Sequence, residues 1–169
     1  GDVYKRQTLI TYNKVLSQRN ALLKYFGKNR TFDQDSLGIW DVQLIEHGNN
    51  VHAKRNAFLE GFTPIFQKYY ELISGGKEKV SIQYKSQLLD ADFEEVLKES
   101  LQKDLTAEYS TTGIHKDDLL LKINDYPVKK FASQGQQKSF LIALKLAQFE
   151  YIKEIKNVMP ILLLDDIYD

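Results

Sequence analysis

Cysteine is absent from the 169 residues of the sequence, and histidine occurs only three times. A disulfide framework and a thiolate metal site are therefore excluded. No apolar run approaches the roughly 20 residues that a helix needs to span a bilayer, and no secretory signal is visible. We therefore expect a cytoplasmic protein with no membrane partner.

A net charge is also missing, because 23 basic and 23 acidic residues cancel. Locally, however, residues 8–30 contain five bases and no acid, whereas residues 86–110 contain seven acids and two lysines. Such a separation can orient a polyanion, although solvated helix faces produce the same pattern. Arg19 also lies among apolar residues at helical spacing, so a paired side chain at a helix contact is a second interpretation for it. The basic segment supplies candidates for contact with a polyanion, which are Lys14, Arg19, Lys24 and Lys28.

The first half of the sequence has helical periodicity, and 43% of all residues are hydrophobic, as in a globular protein. The spacing predicts one helix over residues 12–26, ended by Gly27, and a longer one over about 36–74. Gly61 and Pro64 are expected to bend or interrupt the longer helix. Two such helices in succession suggest an antiparallel arm or lid.

The second half mixes strands and helices. A strand is predicted over residues 79–84, and an acidic helix over 92–105 with Asp92 as its N-terminal cap. Residues 119–123 and 128–131 flank a turn and predict a hairpin. The fold class expected is therefore α/β with α+β character.

Two tripeptides resemble a phosphate-binding signature, Ser74-Gly75-Gly76 and Ser133-Gln134-Gly135. A signature presents a hydroxyl and backbone N–H groups from a helix N-terminus, so it must precede a helix. The first tripeptide follows a helix and leads into a strand, which indicates a helix stop and turn. The second opens a helix that is apolar nearly all round, as expected of a helix buried beneath an active surface.

An acidic pair follows the apolar run 161–164. Such a run is typical of a strand buried on both faces, and two carboxylates at its tip are costly as mere packing. We interpret Asp165 as holding Mg²⁺ through water and Asp166 as polarising the attacking water. An ordinary turn at the end of a strand is the alternative.

His115, Asp117 and Asp118 fall within five positions of one another. They could be catalytic, bind a metal, or form a hydrogen-bonded hinge. The structural interpretation is favoured and no metal is expected, because one histidine and two aspartates on a turn lack a defined further ligand.

Four segments together resemble the RecF family of bacterial recombination-repair ATPases, which have an ABC/SMC-like head. They are FASQGQQKS at 131–139, LLLDD at 162–166, TTGIHKDDL at 111–119 and, more loosely, LSQRNALLK at 16–24. The resemblance runs from Thr8 to Asp169. Ile114 and Lys116 depart mildly from the family's usual Gly-Pro-His-Arg-Asp-Asp.

The resemblance implies a helical lid or arm subdomain over residues 8–76, followed by the C-terminal lobe of an ABC-type head over 77–169. Residues 1–7, GDVYKRQ, are interpreted as a sequencing or processing scar. The abrupt ends indicate an internal fragment. No G-x-x-x-x-G-K-[ST] loop occurs in the sequence, and in this family that loop lies upstream. The chain alone is therefore not expected to bind ATP tightly.

The resemblance also implies a mechanism with ATP and Mg²⁺ as cofactors. Such heads form ATP-dependent head-to-tail homodimers, in which the signature of one subunit contacts the ATP of the other. Asp165 would hold the metal and Asp166 would be catalytic for the chain's own nucleotide. DNA at gaps and at junctions of single and double strands is the expected substrate, with RecR or RecO–RecR as partners. The residues assigned to the ATP of the other subunit are Ser133, Gln134, Gly135 and Gln136.

Two alternatives stand beside this interpretation, and the first of them comes from another functional class. The first is a non-catalytic protein-interaction module with a vestigial head. The second is another ABC/SMC-like head. A transporter would favour Leu-Ser-Gly-Gly-Gln and a glutamate after the aspartate of the strand, where this chain has Gln134 and Asp166. An SMC-like protein would carry long heptads.

Overall fold

The computed structural model describes residues 2–156 and 159–161 of the chain. Helices and short strands follow one another, with 3₁₀ turns at Gln87–Leu89 and Ile114–Lys116. The elements are α1 (Asp2–Asn29), α2 (Gln34–Ser74), β1 (Val80–Lys85), α3 (Phe93–Ala107), β2 (Asp118–Ile123), β3 (Tyr126–Pro127), α4 (Val128–Phe131) and α5 (Gln134–Lys156). The three strands form one sheet in the order β1-β2-β3, so the expected α+β character is confirmed.

The two long helices run further than their glycines and proline predict. Helix α1 passes through Gly27 and ends at Asn29, after which Arg30 takes a left-handed φ of 51°. Helix α2 is unbroken at Gly61 and Pro64, so the expected interruption is wrong. Pro64 lies on an exposed face, and the burial of aromatic residues on either side of it offsets the lost backbone hydrogen bond.

The hairpin is tighter than predicted. Strands β2 and β3 pair antiparallel with Lys122 opposite Pro127 and Ile123 opposite Tyr126, and residues 128–131 form a helix, not a strand. The loop has only two residues, Asn124 and Asp125, both with positive φ. Asparagine and aspartate tolerate this left-handed conformation, which two-residue hairpins require.

Helix α3 begins as the sequence predicts. The Asp92 carboxylate accepts a hydrogen bond from the Glu94 backbone N–H at 2.8 Å, which confirms Asp92 as the cap. Glu108 ends the helix in a left-handed conformation, with φ 58°.

Backbone contacts divide the chain into two units, each built from two segments. The first lies within Gly1–Arg55 and Lys85–Asp118, and the second within Asn56–Tyr84 and Leu119–Asp169. The boundary expected between residues 76 and 77 falls inside the second unit, and the division into lid and head stays a prediction. The first unit has its main core at Tyr12, Val15, Leu44, Val51, Phe93, Val96, Leu97 and Ile114. The second has its core at Phe62, Phe66, Tyr70, Val80, Ile123, Phe140, Ala143 and Ala147.

None of the helices over residues 2–156 has the length and apolar character that a bilayer crossing requires.

Candidate functional site

The turn before α5 is a capping box. The backbone N–H of Gln136 donates to Ser133 Oγ at 3.2 Å, and the backbone N–H of Ser133 donates to Gln136 Oε1 at 2.7 Å. The N–H of Gln137 donates to the Ser133 carbonyl at 2.9 Å, which begins the helix. This reciprocal pair therefore consumes two backbone donors at the helix N-terminus.

The turn also has two backbone donors that the capping box does not use. Neither the N–H of Gln134 nor that of Gly135 is hydrogen-bonded within the described residues, and both residues are exposed. The capping box therefore occupies the N–H groups of Ser133 and Gln136. The Ser133 hydroxyl acts there as an acceptor, so its own proton can still be donated.

Gly135 is a glycine that the chain itself does not require. A Cβ built on it meets no atom within 4 Å, and its φ lies outside the left-handed region. Neither backbone strain nor internal packing therefore explains the residue. The open space leaves the backbone at Gly135 accessible to groups from outside.

Glu78 fixes the side chain of Gln136. Its Oε1 accepts a hydrogen bond from Gln136 Nε2 at 2.6 Å, and its Oε2 accepts one from the Tyr70 hydroxyl at 2.6 Å. These bonds, that from Tyr70 foremost, lower the pKa of the Glu78 carboxyl. Burial, assisted by the bond to Glu78, raises the pKa of the Tyr70 hydroxyl. The carboxylate therefore stays charged, and its hydrogen bond holds the Gln136 side chain of the capping box in place.

Sequence reasoning missed Glu78 because the residue lies 58 positions before Gln136. It follows the Ser74-Gly75-Gly76 turn, in which both glycines have positive φ and the N–H of Gly76 donates to the Glu71 carbonyl at 3.0 Å. This geometry confirms the tripeptide as a helix stop. The turn still serves the candidate site, because it leads the chain to Glu78.

Helix α5 buries one stripe only. The sequence predicted that α5 would be buried nearly all round. Among the described residues that prediction is wrong, because Leu141 is 54% exposed. Only one side meets the core of the second unit. The fully buried residues are Phe140, Ala143 and Ala147.

An open pocket of about 310 Å³ lies beside the turn. Tyr126 and Phe131 stand at it with ring centroids 5.6 Å apart in an edge-to-face pair. Both side chains are exposed, which is unusual for neighbouring aromatic residues and typical of interfaces. The pocket is lined by Ile123, Asn124, Tyr126, Phe131, Ala132 and Gln136.

The acidic pair Asp165 and Asp166 lies outside the described residues, as do residues 162–164 of the expected strand. Their roles with Mg²⁺ and water stay predictions.

His115 is held by both ring nitrogens. Because a carbonyl can only accept, Nε2 carries the proton and donates to the Ser110 carbonyl at 3.1 Å. Nδ1 then accepts from the Tyr12 hydroxyl at 3.0 Å. Burial lowers the pKa of His115 and raises that of Tyr12. The neutral imidazole therefore has no ring nitrogen left for catalysis or for a metal.

The two neighbouring aspartates do not converge on His115. Asp117 Oδ2 accepts from Arg55 Nη1 at 2.7 Å, and the same nitrogen donates to the Ile114 carbonyl at 2.7 Å. Asp118 is exposed. No group of three histidine, aspartate or glutamate side chains that could hold a metal exists in the part of the chain that the structure describes. The arrangement favours a hydrogen-bonded structural role for this motif.

Arg19 is fully buried, which contradicts its place among residues that face a polyanion. Its Nε donates to Asp41 at 2.6 Å, and its Nη1 donates to Asp104 at 2.7 Å and to Ser110 Oγ at 2.8 Å. The physical reason is its position in the apolar stripe of α1, where a charge needs partners. The alternative of a paired side chain at a helix contact is confirmed.

Lys14, Lys24 and Lys28 are exposed. At 3.6 residues per turn they fall within an arc of about 80° on the side of α1 opposite the buried stripe. The stripe consists of Tyr12, Val15, Arg19, Leu23 and Phe26. The geometry thus gives α1 one basic outer face.

Comparison with known proteins points in one direction. No protein-family model matches the chain. It is 54% identical over 161 residues to the DNA replication and repair protein RecF of Flavobacterium johnsoniae, covering 95% of this chain and 45% of that protein. RecF of Phocaeicola vulgatus is 45% identical over 162 residues, covering 95% of this chain and 43% of that protein. RecF of Bacteroides thetaiotaomicron is 45% identical over 163 residues, with 96% and 43% covered.

A solved structure of the recombination mediator protein RecF-ATP in the RecFOR pathway superimposes with a TM-score of 0.88 at 32% identity. It covers 97% of this chain and 46% of that one. The expected resemblance to RecF is confirmed. A second RecF structure, described as RecF-ATPrS, gives a TM-score of 0.86 at 32% identity, with 96% and 46% covered. The chain thus shares the RecF fold and spans slightly less than half the length of these relatives.

Gly113→Ala should destabilise the chain by ~2 kcal/mol or more. Gly113 has φ 120°, and an added Cβ would lie 2.7 Å from the Tyr12 hydroxyl and 3.0 Å from Phe93 Cζ. Urea unfolding of the variant measures the loss. Gly38→Ala, in α2 with nothing within 4 Å, is the matched control and should stabilise by up to about 1 kcal/mol. Equal effects at the two positions would contradict the close packing of Gly113 against Tyr12 and Phe93.

His115→Gln should change how stability depends on pH. Since the folded pKa of His115 is lowered, the unfolded chain binds the proton more readily. The stability from neutral His115 is full above about pH 6.5 and is lost as pH falls towards the lower folded pKa. Urea unfolding of both chains between about pH 7.5 and 5, the window that this shift selects, should show the parent losing more stability on acidification. Parallel pH curves would show that His115 is not held neutral.

Proposed function

We propose that the chain supplies one half of an ATP site in a RecF-type DNA-repair ATPase that works through ATP-dependent head-to-tail dimerisation. The observation that carries the proposal is the first turn of α5, with two unpartnered N–H groups beside a glycine that has open space around it. A positive helix end with free donors favours a phosphate. The likeness to a RecF-ATP structure supports ATP as the source of that phosphate.

The residues of the turn divide the work. The Ser133 hydroxyl and the N–H groups of Gln134 and Gly135 donate to the γ-phosphate. Gln136 does not bind it directly, because its side chain is held between Ser133 and Glu78. Its role is to keep the turn rigid, so that the donors are oriented before the ligand arrives.

ATP, when bound between two heads, supplies the γ-phosphate whose charge attracts the donors of the second subunit. The P-loop of that site belongs to the other subunit. Asp165 is assigned to Mg²⁺ through water, and Asp166 to the catalytic water of the chain's own nucleotide. The exposed pair of Tyr126 and Phe131 beside the turn suits the subunit contact that this arrangement needs.

DNA is the proposed substrate, at gaps and at junctions of single and double strands, with RecR or RecO–RecR as partners. The support within the chain is the basic face of α1, where Lys14, Lys24 and Lys28 are exposed with no acid between residues 8 and 30. Lysines on one face contact phosphates without reading sequence.

Gly135→Ala should separate function from stability. The isolated chain should keep its free energy of unfolding or gain up to about 1 kcal/mol, because alanine favours a helix and the site has room. A chimera carries the activity test: the matched segment of F. johnsoniae RecF is replaced by this chain. There the new methyl should block the phosphate and abolish ATP-dependent dimerisation, measured by light scattering after size exclusion.

Gly38→Ala in the same chimera is the control and should dimerise like the parent. A Gly135→Ala chimera that dimerises normally with ATP would overturn the assignment of this turn. A parent chimera that binds DNA but shows no response to ATP would favour the non-catalytic interaction module.

Replacing Lys14, Lys24 and Lys28 with glutamate in the chimera should weaken DNA binding and flatten its salt dependence. Each lost phosphate contact lowers the slope of log affinity against log salt by about 0.9 on duplex DNA. Titrations of labelled DNA at several salt concentrations measure both. Lys98→Glu is the control, because Lys98 is exposed but pairs with Glu94. Unchanged affinity and slope in the triple variant would reduce the face to a solvated surface.

A further inference from the structure

A second pocket, of about 380 Å³, lies in the first unit, away from the turn of α5. Three segments of the chain build it: the end of β1 with the residues after it, helix α3, and the loop that follows α3. Each segment contributes one lysine. The lining includes Lys85, Ser86, Gln87, Lys103, Tyr109 and Lys116.

The pocket is basic although much of the chain around it is acidic. Residues 86–110 hold seven acids and only two lysines, yet no acid is among the described residues that line this pocket. One of those lysines, Lys98, pairs with Glu94 at 2.6 Å. The other, Lys103, is in the pocket and has no carboxylate partner in the described part of the chain, and the same holds for Lys85 and Lys116.

The carboxylates that follow Lys103 and Lys116 in the sequence are paired with other residues. Asp104, beside Lys103, is fully buried and accepts from Arg19 at 2.7 Å and from Thr111 at 2.6 and 2.7 Å. Asp117, beside Lys116, is paired with Arg55 at 2.7 Å. These two carboxylates are therefore paired with other groups and do not neutralise the lysines of the pocket.

An aromatic ring completes the site. Tyr109 is 46% exposed, and Lys116 Nζ lies 5.4 Å from its ring centroid. The Ser86 Oγ accepts from the Leu88 N–H at 3.1 Å, which leaves its own proton to donate. Cations beside an exposed ring are the combination that binds single-stranded nucleic acid, with phosphates on the cations and a base on the ring.

We propose that this pocket binds one nucleotide of a single-stranded nucleic acid, with a phosphate held by Lys85, Lys103 and Lys116 and a base stacked on Tyr109. The volume is near the lower end of the roughly 300–1,000 Å³ of small-ligand sites, which suits a single nucleotide. The site deepens the proposed function and rests on its DNA-binding half, not on the ATP half. It is separate from the basic face of α1.

The test measures binding of a fluorescent oligothymidylate of about 15 nucleotides to the chain by anisotropy, between roughly 50 and 200 mM salt. Lys103→Gln with Lys116→Gln should lower the affinity at least about tenfold and the salt slope by about 1.4, which is 0.7 for each contact on a single strand. Lys98→Gln, on the same helix but ion-paired, is the matched control and should change neither. All three lysines are exposed, so the variants should fold, and circular dichroism checks this.

Tyr109 provides an independent measurement. Tyr109→Ala should weaken binding by about fivefold to a hundredfold through lost stacking, whereas Tyr109→Phe should retain it. Binding that depends on the lysines but is unchanged in Tyr109→Ala, and is displaced by inorganic phosphate, would overturn the nucleotide site in favour of a simple anion site.

Two further measurements distinguish the nucleotide site from an acidic protein partner and from DNA binding by α1. An oligoglutamate that binds through the lysines where oligothymidylate does not would overturn the proposal in favour of an acidic protein partner. If the triple α1 variant loses all binding while the pocket variants lose none, the pocket proposal falls and DNA binding by α1 stands. Absence of any oligonucleotide binding by the chain would also overturn the pocket, and leaves the ATP proposal to be decided by the chimera.

Discussion

The buried guanidinium of Arg19 is the interaction on which the first unit depends. It joins α1 to Asp41 on α2 and to Asp104 on α3, and its bond to Ser110 reaches the loop beyond α3. Removing one partner of such a buried pair costs about 3–5 kcal/mol, because the remaining charge stays in an apolar core. Asp104 then carries the loop further, since its second oxygen accepts from the N–H and hydroxyl of Thr111. Through this one charge, three helices and the loop 108–117 are held in one arrangement.

The buried ion pairs also affect the charge of the surface. Asp104 and Asp117 follow Lys103 and Lys116 in the sequence, but both carboxylates pair with arginines. The same ion pairs that stabilise the unit thus leave a basic pocket in an otherwise acidic stretch. In the second unit Glu78 has a comparable part, because its hydrogen bonds to Tyr70 and Gln136 connect the core to the cap of α5. In both units a buried or partly buried carboxylate positions groups that face solvent.

Local signals predicted much of the architecture. Asp92 caps α3 and the Ser-Gly-Gly turn stops α2 because both effects depend on a few consecutive residues. The predictions that were wrong have their causes in tertiary packing and strand pairing. Pro64 does not interrupt α2, because buried aromatic residues on both sides hold the helix together. Residues 128–131 form a helix because the hairpin closes two residues earlier than the pattern suggests.

The sequence by itself determined the α+β class, the long helices and the resemblance to RecF, because these depend on periodicity and on short motifs. Only the tertiary structure decided that Arg19 is internal, that Glu78 supports Gln136, and that three lysines share a pocket with Tyr109. Those facts join residues separated by up to 85 positions, as Arg19 and Asp104 are. Whether a charge faces water or a buried partner depends on which helices pack together, and no local pattern carries that information.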